Sequence, residues 1–329
     1  MSETFTREKL LELYPESDLK RLDEIELGYN HITSIDKQTF KNLKNLKRIN
    51  LDNNDLESID SIIFEDLSLT TLILSDNKLI EIKSNFSDYL KDLNRLDACR
   101  NQIQLIEKNA FQNLKNLTCL SISENALTQI DPLLFQNLTN LENLALNMNK
   151  IKNIEAKAFT NLVNLLEINL GDNEIQSIDY SMFNSLTKLT ILNLSGNQLD
   201  TIGNITSLKF LTTLELQTNK IKEIKGNVFS GMVSLESINL IQNEIDYIDP
   251  NAFVGLNNLS ILSISYNKLK DIKSGTFCNL PMLKELDLGS NQIETINKEA
   301  FLNLPSLEIL FVTSDSSNQI DLIKNNTSK

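Results

Sequence analysis

The chain has 329 residues, a formal net charge of −13, a pI of about 4.7 and 41% hydrophobic residues, but only 9 glycines and 5 prolines. An acidic chain repels phosphate backbones and anionic lipid, so we expect neither nucleic acid nor a membrane as a partner. A protein with a basic surface would be attracted, although the same charge would also simply keep an apolar-cored chain soluble. The scarcity of proline and of Ser/Gly-rich stretches predicts one continuous array without linkers.

Residues 1–21 predict an N-terminal capping helix. Thr6 suits the N-cap, Phe5 and Leu10 occupy the positions of a hydrophobic staple, and Pro15 would end the helix. The segment lacks the basic start and apolar run of a secretory signal. We therefore interpret it as a cover for the first strand of the chain.

From residue 22 to 312 the chain repeats itself about every 24 residues. Leu144 and Leu146 are two residues apart, which is the spacing of a strand with one buried face, and Asn149 marks a turn. The residues after the turn lose this period and suit turns and short helical pieces. One unit cannot bury its own leucines, so the units must stack and share a core. Leucine opens the thirteen units at positions 22, 46, 69, 93, 117, 141, 165, 189, 211, 235, 259, 283 and 307.

Asparagine and phenylalanine form two further ladders along these units. An amide side chain both donates and accepts, so the turn asparagines are expected to satisfy backbone groups from one coil to the next. Phenylalanine occupies a later slot in most units, with two departures. The third unit has Ser87 in the slot and Phe86 one residue early, and the eighth unit shrinks to 22 residues with no phenylalanine in the slot.

The pattern LxxLxLxxNxLxxIxxxxFxxLxx, which covers residues 22 to about 312, resembles leucine-rich repeats of the typical 24-residue class. The resemblance implies an α/β solenoid, shaped as a horseshoe or arc, with a parallel β-sheet on the concave face and irregular or short helical segments on the convex face. It also implies that the concave face recognises proteins. Residues 313–329 then predict a partial C-terminal cap and a frayed tail. We expect a monomer, with this C-terminal edge as the place where a second subunit would pair.

Strand residues that alternate with the buried leucines must face outward and so supply the candidate site. Three arginines form a basic island toward the N-terminal side: Arg48, Arg95 and Arg100. Four residues form an apolar island toward the C-terminal side: Ile191, Ile241, Ile261 and Tyr266. Glu215 and Asp287 lie near the apolar island and suit a basic partner. The alternative is that these are scattered surface residues.

Catalytic chemistry is not indicated. The single histidine, His31, follows a turn asparagine and has no evident nucleophile beside it. No metal or cofactor motif occurs, so we predict no enzyme, no cofactor and no metal site. An odd number of cysteines without paired spacing favours a reducing compartment, and hence the cytoplasm. The cysteines are Cys99, Cys119 and Cys278.

The sequence thus predicts a cytoplasmic protein–protein interaction module, acting as an adaptor or as an inhibitor of its partner. A first alternative is a recognition or effector protein that is secreted, or delivered into a host, by a non-classical route. A second is the targeting part of a larger enzyme, such as a kinase or ligase, whose catalytic domain is not in this chain.

Overall fold

A computed structural model of the chain describes residues 4–312. The chain divides into two compact units, Met1–Leu165 and Leu166–Lys329. Both units consist of stacked coils that carry parallel strands, so the predicted solenoid is confirmed. The predicted partial cap over residues 313–329 lies outside the described residues, and the predicted boundaries of the array stay a prediction.

In the first unit each coil places one three-residue strand in a parallel sheet. The central residue of every strand is buried and its two neighbours are half-buried or exposed, as the period of two predicted. Apolar side chains on one face thus build the core, and the other face stays open to solvent. The strands, in spatial order, are β2 (Glu24–Glu26), β4 (Arg48–Asn50), β5 (Thr71–Ile73), β7 (Arg95–Asp97), β9 (Cys119–Ser121) and β10 (Asn143–Ala145).

The second unit repeats this arrangement with seven strands in the described range. Their central residues are again buried. The register is regular, with Glu215 opposite Asn239 and Ser263 opposite Asp287 on neighbouring strands. In spatial order the strands are β11 (Glu167–Asn169), β12 (Ile191–Asn193), β13 (Thr213–Glu215), β15 (Ser237–Asn239), β17 (Ile261–Ser263), β19 (Glu285–Asp287) and β21 (Ile309–Phe311).

The return side of the coils is made mostly of turns, and short regular pieces interrupt them. Within residues 4–312 these include three 3₁₀ helices, Ser61–Phe64, Tyr180–Phe183 and Lys298–Phe301. Two-residue strands, which the sequence did not predict, also pair there. They are β6 (Glu81–Ile82) with β8 (Leu105–Ile106), β14 (Glu223–Ile224) with β16 (Tyr247–Ile248), and β18 (Asp271–Ile272) with β20 (Thr295–Ile296).

The N-terminal segment covers the first strand with two short helices rather than one. Strand β1 (Thr4–Phe5) pairs with β3 (Ser34–Ile35), and helices α1 (Arg7–Leu13) and α2 (Glu16–Leu19) follow β1. Thr6 stands at the N-cap of α1, as predicted, although its side chain makes no capping hydrogen bond within residues 4–312. Tyr14 instead secures the segment. Its hydroxyl accepts from the Glu26 amide at 3.1 Å and donates to the Glu26 carbonyl at 3.2 Å.

The turn asparagines hold consecutive coils together, as predicted. The Nδ2 group of Asn197 donates to the carbonyl of Leu170 in the preceding coil at 3.0 Å and to that of Leu194 at 3.1 Å. Its Oδ1 accepts from the amide of Ile175 at 3.1 Å. Buried backbone groups that strands cannot pair are satisfied in this way. A second series of asparagines links coils on the return side, for example Asn258 to the Val233 carbonyl at 2.7 Å.

The phenylalanine slots stack into a ladder where the repeat is regular. Phe229, Phe253, Phe277 and Phe301 stack with centroid separations of 6.0, 5.8 and 5.7 Å. In the third unit the early Phe86 meets Phe111 edge-on, at 6.4 Å and 77°. The shift of one residue therefore changes the packing angle without opening the core there.

A tyrosine of the preceding coil packs against the backbone of the short eighth unit. Tyr180 is buried, and its hydroxyl donates to the Thr201 carbonyl at 2.9 Å. Burial raises the pKa of Tyr180 to about 12. A Cβ at Gly203 would lie 2.2 Å from the tyrosine ring, so only glycine fits. The two-residue deletion is therefore accommodated by this close approach of backbone and ring.

Among residues 4–312, the structure contains no helix that combines the length and the apolar character needed to cross a membrane.

Candidate protein-binding face

The predicted site residues lie on one face of each unit, which we call the sheet face. It comprises the outward side chains at the two ends of each three-residue strand, the second residue after each strand, and the turn residue that comes next. Ile191 and Ile261 begin their strands, whereas Glu215 and Asp287 end theirs. Tyr266 and Arg100 belong to the turns.

The turn positions of the sheet face share a left-handed backbone. Tyr29, Arg100 and Tyr266 have φ values of 60°, 48° and 56°. A large residue with positive φ is uncommon and carries a conformational cost. The tyrosines are also well exposed, at 75% for Tyr29 and 64% for Tyr266. The full ladder is Tyr29, Asn53, Asp76, Arg100, Glu124 and Met148 in the first unit, and Asp172, Gly196, Thr218, Gln242, Tyr266 and Ser290 in the second.

The arginines of the predicted basic island are neutralised by carboxylates of their own face. Arg48 Nε lies 2.6 Å from Glu24 Oε1. Arg100 forms two hydrogen bonds of 2.7 Å with Asp76, which raise the pKa of the guanidinium. Such paired geometry leaves little free positive charge.

Arg95 completes this set, since its Nη2 lies 3.6 Å from Asp97 Oδ2. Strand β5 lies between β4 and β7, so Arg48 and Arg95 are about 10 Å apart at ordinary strand spacing. The expectation of one basic island is therefore corrected to three separate, neutralised arginines.

The sheet face of the second unit is acidic and lacks such pairing. Its seven strands contain four carboxylates and neither lysine nor arginine. In the described part of the chain, Glu215, Glu285 and Asp287 take part in no ion pair. Asp287 Oδ1 accepts only from the amide of Gly289, at 2.9 Å. A negative field is thus left open to solvent on this face.

Two acceptor atoms of this face are enclosed without a donor. Glu215 Oε2 and Gln217 Oε1 are shielded from solvent and have no hydrogen-bond partner within residues 4–312. Leaving a buried polar group unsatisfied costs about 1–3 kcal/mol, and more for a charged one. A donor supplied from outside the chain would remove this cost.

The predicted apolar island divides into separate parts. Ile241 lies beside Gln217, because the Thr218 amide donates to the Ile241 carbonyl at 2.9 Å. Tyr266 follows on the next coil. Ile261 and Ile191 lie at the opposite ends of the strands, roughly 13 Å away along the strand direction. They are also separated from each other by Thr213 and Ser237 in the shared register.

The expectation of one continuous apolar island is therefore corrected to the pair Ile241 and Tyr266, with Ile191 and Ile261 isolated. The structure instead places Glu215 and Gln217 on one coil, Ile241 on the next coil and Tyr266 on the coil after that, and we call these four residues the Glu215 site. Gln217 was not among the predicted site residues. Gln217 precedes Ile241 by one repeat of 24 residues, and this spacing could have predicted that the two side chains are neighbours.

Two titratable side chains outside this site, Cys99 and His31, were singled out in the sequence. The Cys99 thiol donates to Asp97 at 2.7 Å, and burial raises its pKa to about 11, so it stays protonated. His31 is exposed, and its Nδ1 lies 3.3 Å from Asp55 Oδ2. Within residues 4–312 no group of three or more histidine, cysteine, aspartate or glutamate side chains is arranged to hold a metal ion. The expectation that the chain is not an enzyme stays a prediction.

Stacked coils with one strand each, an asparagine ladder and an open sheet face define a repeat solenoid of the kind that binds other macromolecules. The sequence comparison identifies the family. The leucine rich repeat family matches residues 20–79, 91–151, 139–199, 210–269 and 257–320, and the chain belongs to this family. No curated protein sequence matches the chain significantly.

Solved structures with this fold come from several settings. A Toll-like receptor 13 structure, in complex with single-stranded RNA (ssRNA13), is 26% identical with a TM-score of 0.76, and the match covers 92% of this chain but 46% of that one. A leucine-rich-repeat protein of Leptospira interrogans is 24% identical with a TM-score of 0.65, covering 93% of this chain and 88% of that one.

A third similar structure is the octameric complex of Latrophilin 3, Unc5D and the leucine-rich repeats of FLRT2. It is 23% identical with a TM-score of 0.67, and the match covers 76% of this chain and 77% of that one. These likenesses support an interaction module. The chain spans about half the length of the Toll-like receptor chain that it matches.

Proposed function

We propose that the chain binds a partner protein on the sheet face of its second unit, and that a lysine or arginine of the partner enters the Glu215 site. The observation that carries this proposal is the pair of enclosed, unpartnered acceptors, Glu215 Oε2 and Gln217 Oε1. Natural structures rarely leave such groups unsatisfied, so a missing donor is the physical reason to expect a ligand there.

The side chains around the two acceptors determine which kind of donor would bind there. Glu215, Glu285 and Asp287, which form no ion pair within residues 4–312, attract a positive group and speed its approach. Ile241 and the exposed Tyr266 offer apolar surface beside the acceptors, and a tyrosine ring also attracts an ammonium or guanidinium. A basic residue with an apolar neighbour in the partner therefore fits the site better than an acidic or purely apolar segment.

The family and the similar structures support protein binding in general, and one of those structures holds single-stranded RNA. The acidic strands of the second unit favour a basic protein over a polyanion. We further propose that the role is that of a cytoplasmic adaptor or inhibitor. Recovery of the native protein from culture medium would instead favour the exported alternative, and a coding sequence extending beyond Lys329 into a catalytic domain would favour the enzyme alternative.

Selection of binders from a random peptide library, with the purified chain as bait, tests the proposal directly. We expect selected peptides to share a lysine or arginine next to an apolar residue and to bind with a measurable Kd by isothermal titration. Glu215→Gln and Tyr266→Ala should each weaken that Kd at least tenfold, because one removes the charged acceptor and the other the adjoining ring.

Tyr29→Ala is the matched control, since Tyr29 is an equally left-handed, exposed tyrosine on the first unit. Its Kd should stay within about twofold of wild type. Peptides without a basic residue, or equal losses from Tyr29→Ala and Tyr266→Ala, would contradict the proposal. An RNA oligonucleotide titration runs in parallel, and tight RNA binding that Glu215→Gln strengthens would assign the face to nucleic acid instead.

A further inference from the structure

A cavity of about 160 Å³ opens within the first unit, away from the sheet face. It lies between the coil of residues 93–116 and the coil of residues 117–140. About half of its wall surface is apolar, and this half includes Ile106, Leu127, Ile130, Leu134, Phe135 and Leu146, all of which are buried. Polar side chains line the rest, among them Lys108, Thr128 and Asp131.

The return-side backbones of the two coils are not hydrogen-bonded to each other at this cavity. On one side, β6 pairs with β8, and the Gln104 amide donates to the Ile80 carbonyl at 2.8 Å. On the other side, Gln129 bridges to Asn153, and the Lys152 amide donates to the Thr128 carbonyl at 3.2 Å. Between Gln104 and Thr128 the described chain has no equivalent hydrogen bond. The return-side pairing is thus absent at the cavity, as it also is between β16 and β18 of the second unit.

The phenylalanine ladder is interrupted at the same place. Ring contacts join Phe86 to Phe111 and Phe135 to Phe159, but in residues 4–312 none joins Phe111 to Phe135. The residue before Phe135 is Leu134, where the coils on either side have Ala110 and Ala158. Leu134 also lines the cavity, so this difference from the neighbouring coils lies at the same place.

We propose that this cavity is a binding site for a small, largely apolar molecule with one hydrogen-bonding group, of about the size of phenol. An apolar cavity of about 150 Å³ is large enough to hold benzene. The apolar wall would contact the ring, and the polar residues at the margin, such as Thr128 and Asp131, would receive the single polar group. The side chains that line the empty cavity have no atoms of residues 4–312 facing them. A bound ligand would supply these dispersion contacts.

Phenol is the probe, and methyl NMR of the whole chain is the measurement. Phenol should shift the methyl signals of Ile106, Ile130 and Leu134 in a saturable way. The signals of Ile272, which fills the same repeat position in a coil whose phenylalanine stacks on the rings of both neighbouring coils, should not move. Ile130 and Ile272 are matched in burial, at 5% and 3% exposed.

Two equivalent substitutions separate a cavity site from general apolar binding. Ile130→Phe should fill the empty space, keep the wild-type midpoint of thermal unfolding and weaken phenol binding at least tenfold. Ile272→Phe meets a filled core, so it should lower the midpoint and leave the phenol Kd within twofold. Binding that survives Ile130→Phe, or shifts that never saturate and scatter over the surface, would overturn the proposal.

A second variant covers the case in which Ile130→Phe does not fold. Leu134→Ala enlarges the cavity, so this variant should bind 2-naphthol, which the wild-type cavity is too small to admit. Equal naphthol binding by wild type and variant, or none by either, would also reject the site. Peptide binding by the second unit should be unchanged throughout, so this test is independent of the proposed function.

Discussion

The sheet faces of the two units are built from the same repeat but use their charges differently. The six strands of the first unit contain three carboxylates and two arginines, whereas the seven strands of the second contain four carboxylates and no basic residue. In the first unit Arg48 reaches back to Glu24 and Arg100 reaches back to Asp76, each across one repeat. In the second, Glu215 has no such partner among the described residues.

The difference shows how a uniform core permits surfaces of opposite behaviour. Leucine, asparagine and phenylalanine repeat because each coil meets its neighbours in the same way. Outward residues meet solvent and are free to differ between coils. A face whose charges are paired internally gains little from a charged ligand, while an unpaired acidic face gains both attraction and satisfied acceptors.

The largest expected effect comes from reversing one charge on each face. Glu215→Lys places a cation where the partner's basic group would enter, so affinity for the selected basic peptides should fall by about 100-fold or more. Glu26 already forms an ion pair with Arg48, so Glu26→Lys should change the affinity for these peptides by less than about threefold. Isothermal titration of both variants measures this. Equal losses would mean that the faces do not differ as proposed.

Salt provides a smaller test of the same difference. Raising sodium chloride from 50 to 300 mM shortens the Debye length and screens the open carboxylates. Peptide binding at the second unit should therefore weaken by about three- to tenfold, mainly through a slower association rate. Stopped-flow or surface-based kinetics would resolve the rates. An affinity that is insensitive to salt would assign the binding energy to Ile241 and Tyr266 alone.

Features of the core could be predicted from the sequence because the same residue types pack and form hydrogen bonds in the same way in each coil. The leucine and asparagine ladders predicted the strands, the turns and the hydrogen bonds of residues such as Asn197. The extra two-residue strands were not predictable, since pairs such as β14 and β16 depend on how closely two return segments approach.

The sheet face was less predictable, because its behaviour depends on neighbours one repeat away. Arg48 and Glu24, like Arg100 and Asp76, are separated by 24 residues, so the repeat length itself was a signal for pairing that single-coil reasoning missed. The enclosure of Glu215 Oε2 had no such signal. It depends on side-chain conformations of the surrounding strands rather than on residue type.

Removing the partner of Asp76 and removing the charge of Glu215 should change the free energy of unfolding in different directions. Arg100→Met removes a two-bond contact with Asp76 on a half-exposed side chain, so it should lower the free energy of unfolding by up to about 1 kcal/mol. Glu215→Gln removes a carboxylate that has no donor, so it should leave stability unchanged or raise it slightly. Midpoints of urea denaturation at neutral pH compare the two variants. A clear loss from Glu215→Gln would show that Glu215 is already satisfied within the chain.

The smallest expected effect tests whether the difference in charge pairing between the two units is confined to their strands. Just beyond the turns, both units contain the same ion pair at 2.8 Å, Lys78 with Asp55 and Lys268 with Glu244. The lysine hydrogen bond lowers the pKa of each carboxyl group. Lys78→Met should raise the pKa of Asp55 toward its ordinary value and leave Glu244 unchanged, and Lys268→Met should do the reverse.

Carboxyl ¹³C NMR titration of the two variants measures these pKa values. A carboxyl group whose pKa is lowered by folding stabilises the fold above its unfolded pKa and loses that contribution as the pH falls through the folded value. Each wild-type pair should therefore favour folding at pH 7 and not at strongly acidic pH. Equivalent behaviour of the two pairs would place the difference between the units in the strand residues themselves, of which Glu215 is one. A pKa of Asp55 that does not respond to Lys78→Met would show that even the first unit pairs its charges less effectively than its geometry indicates.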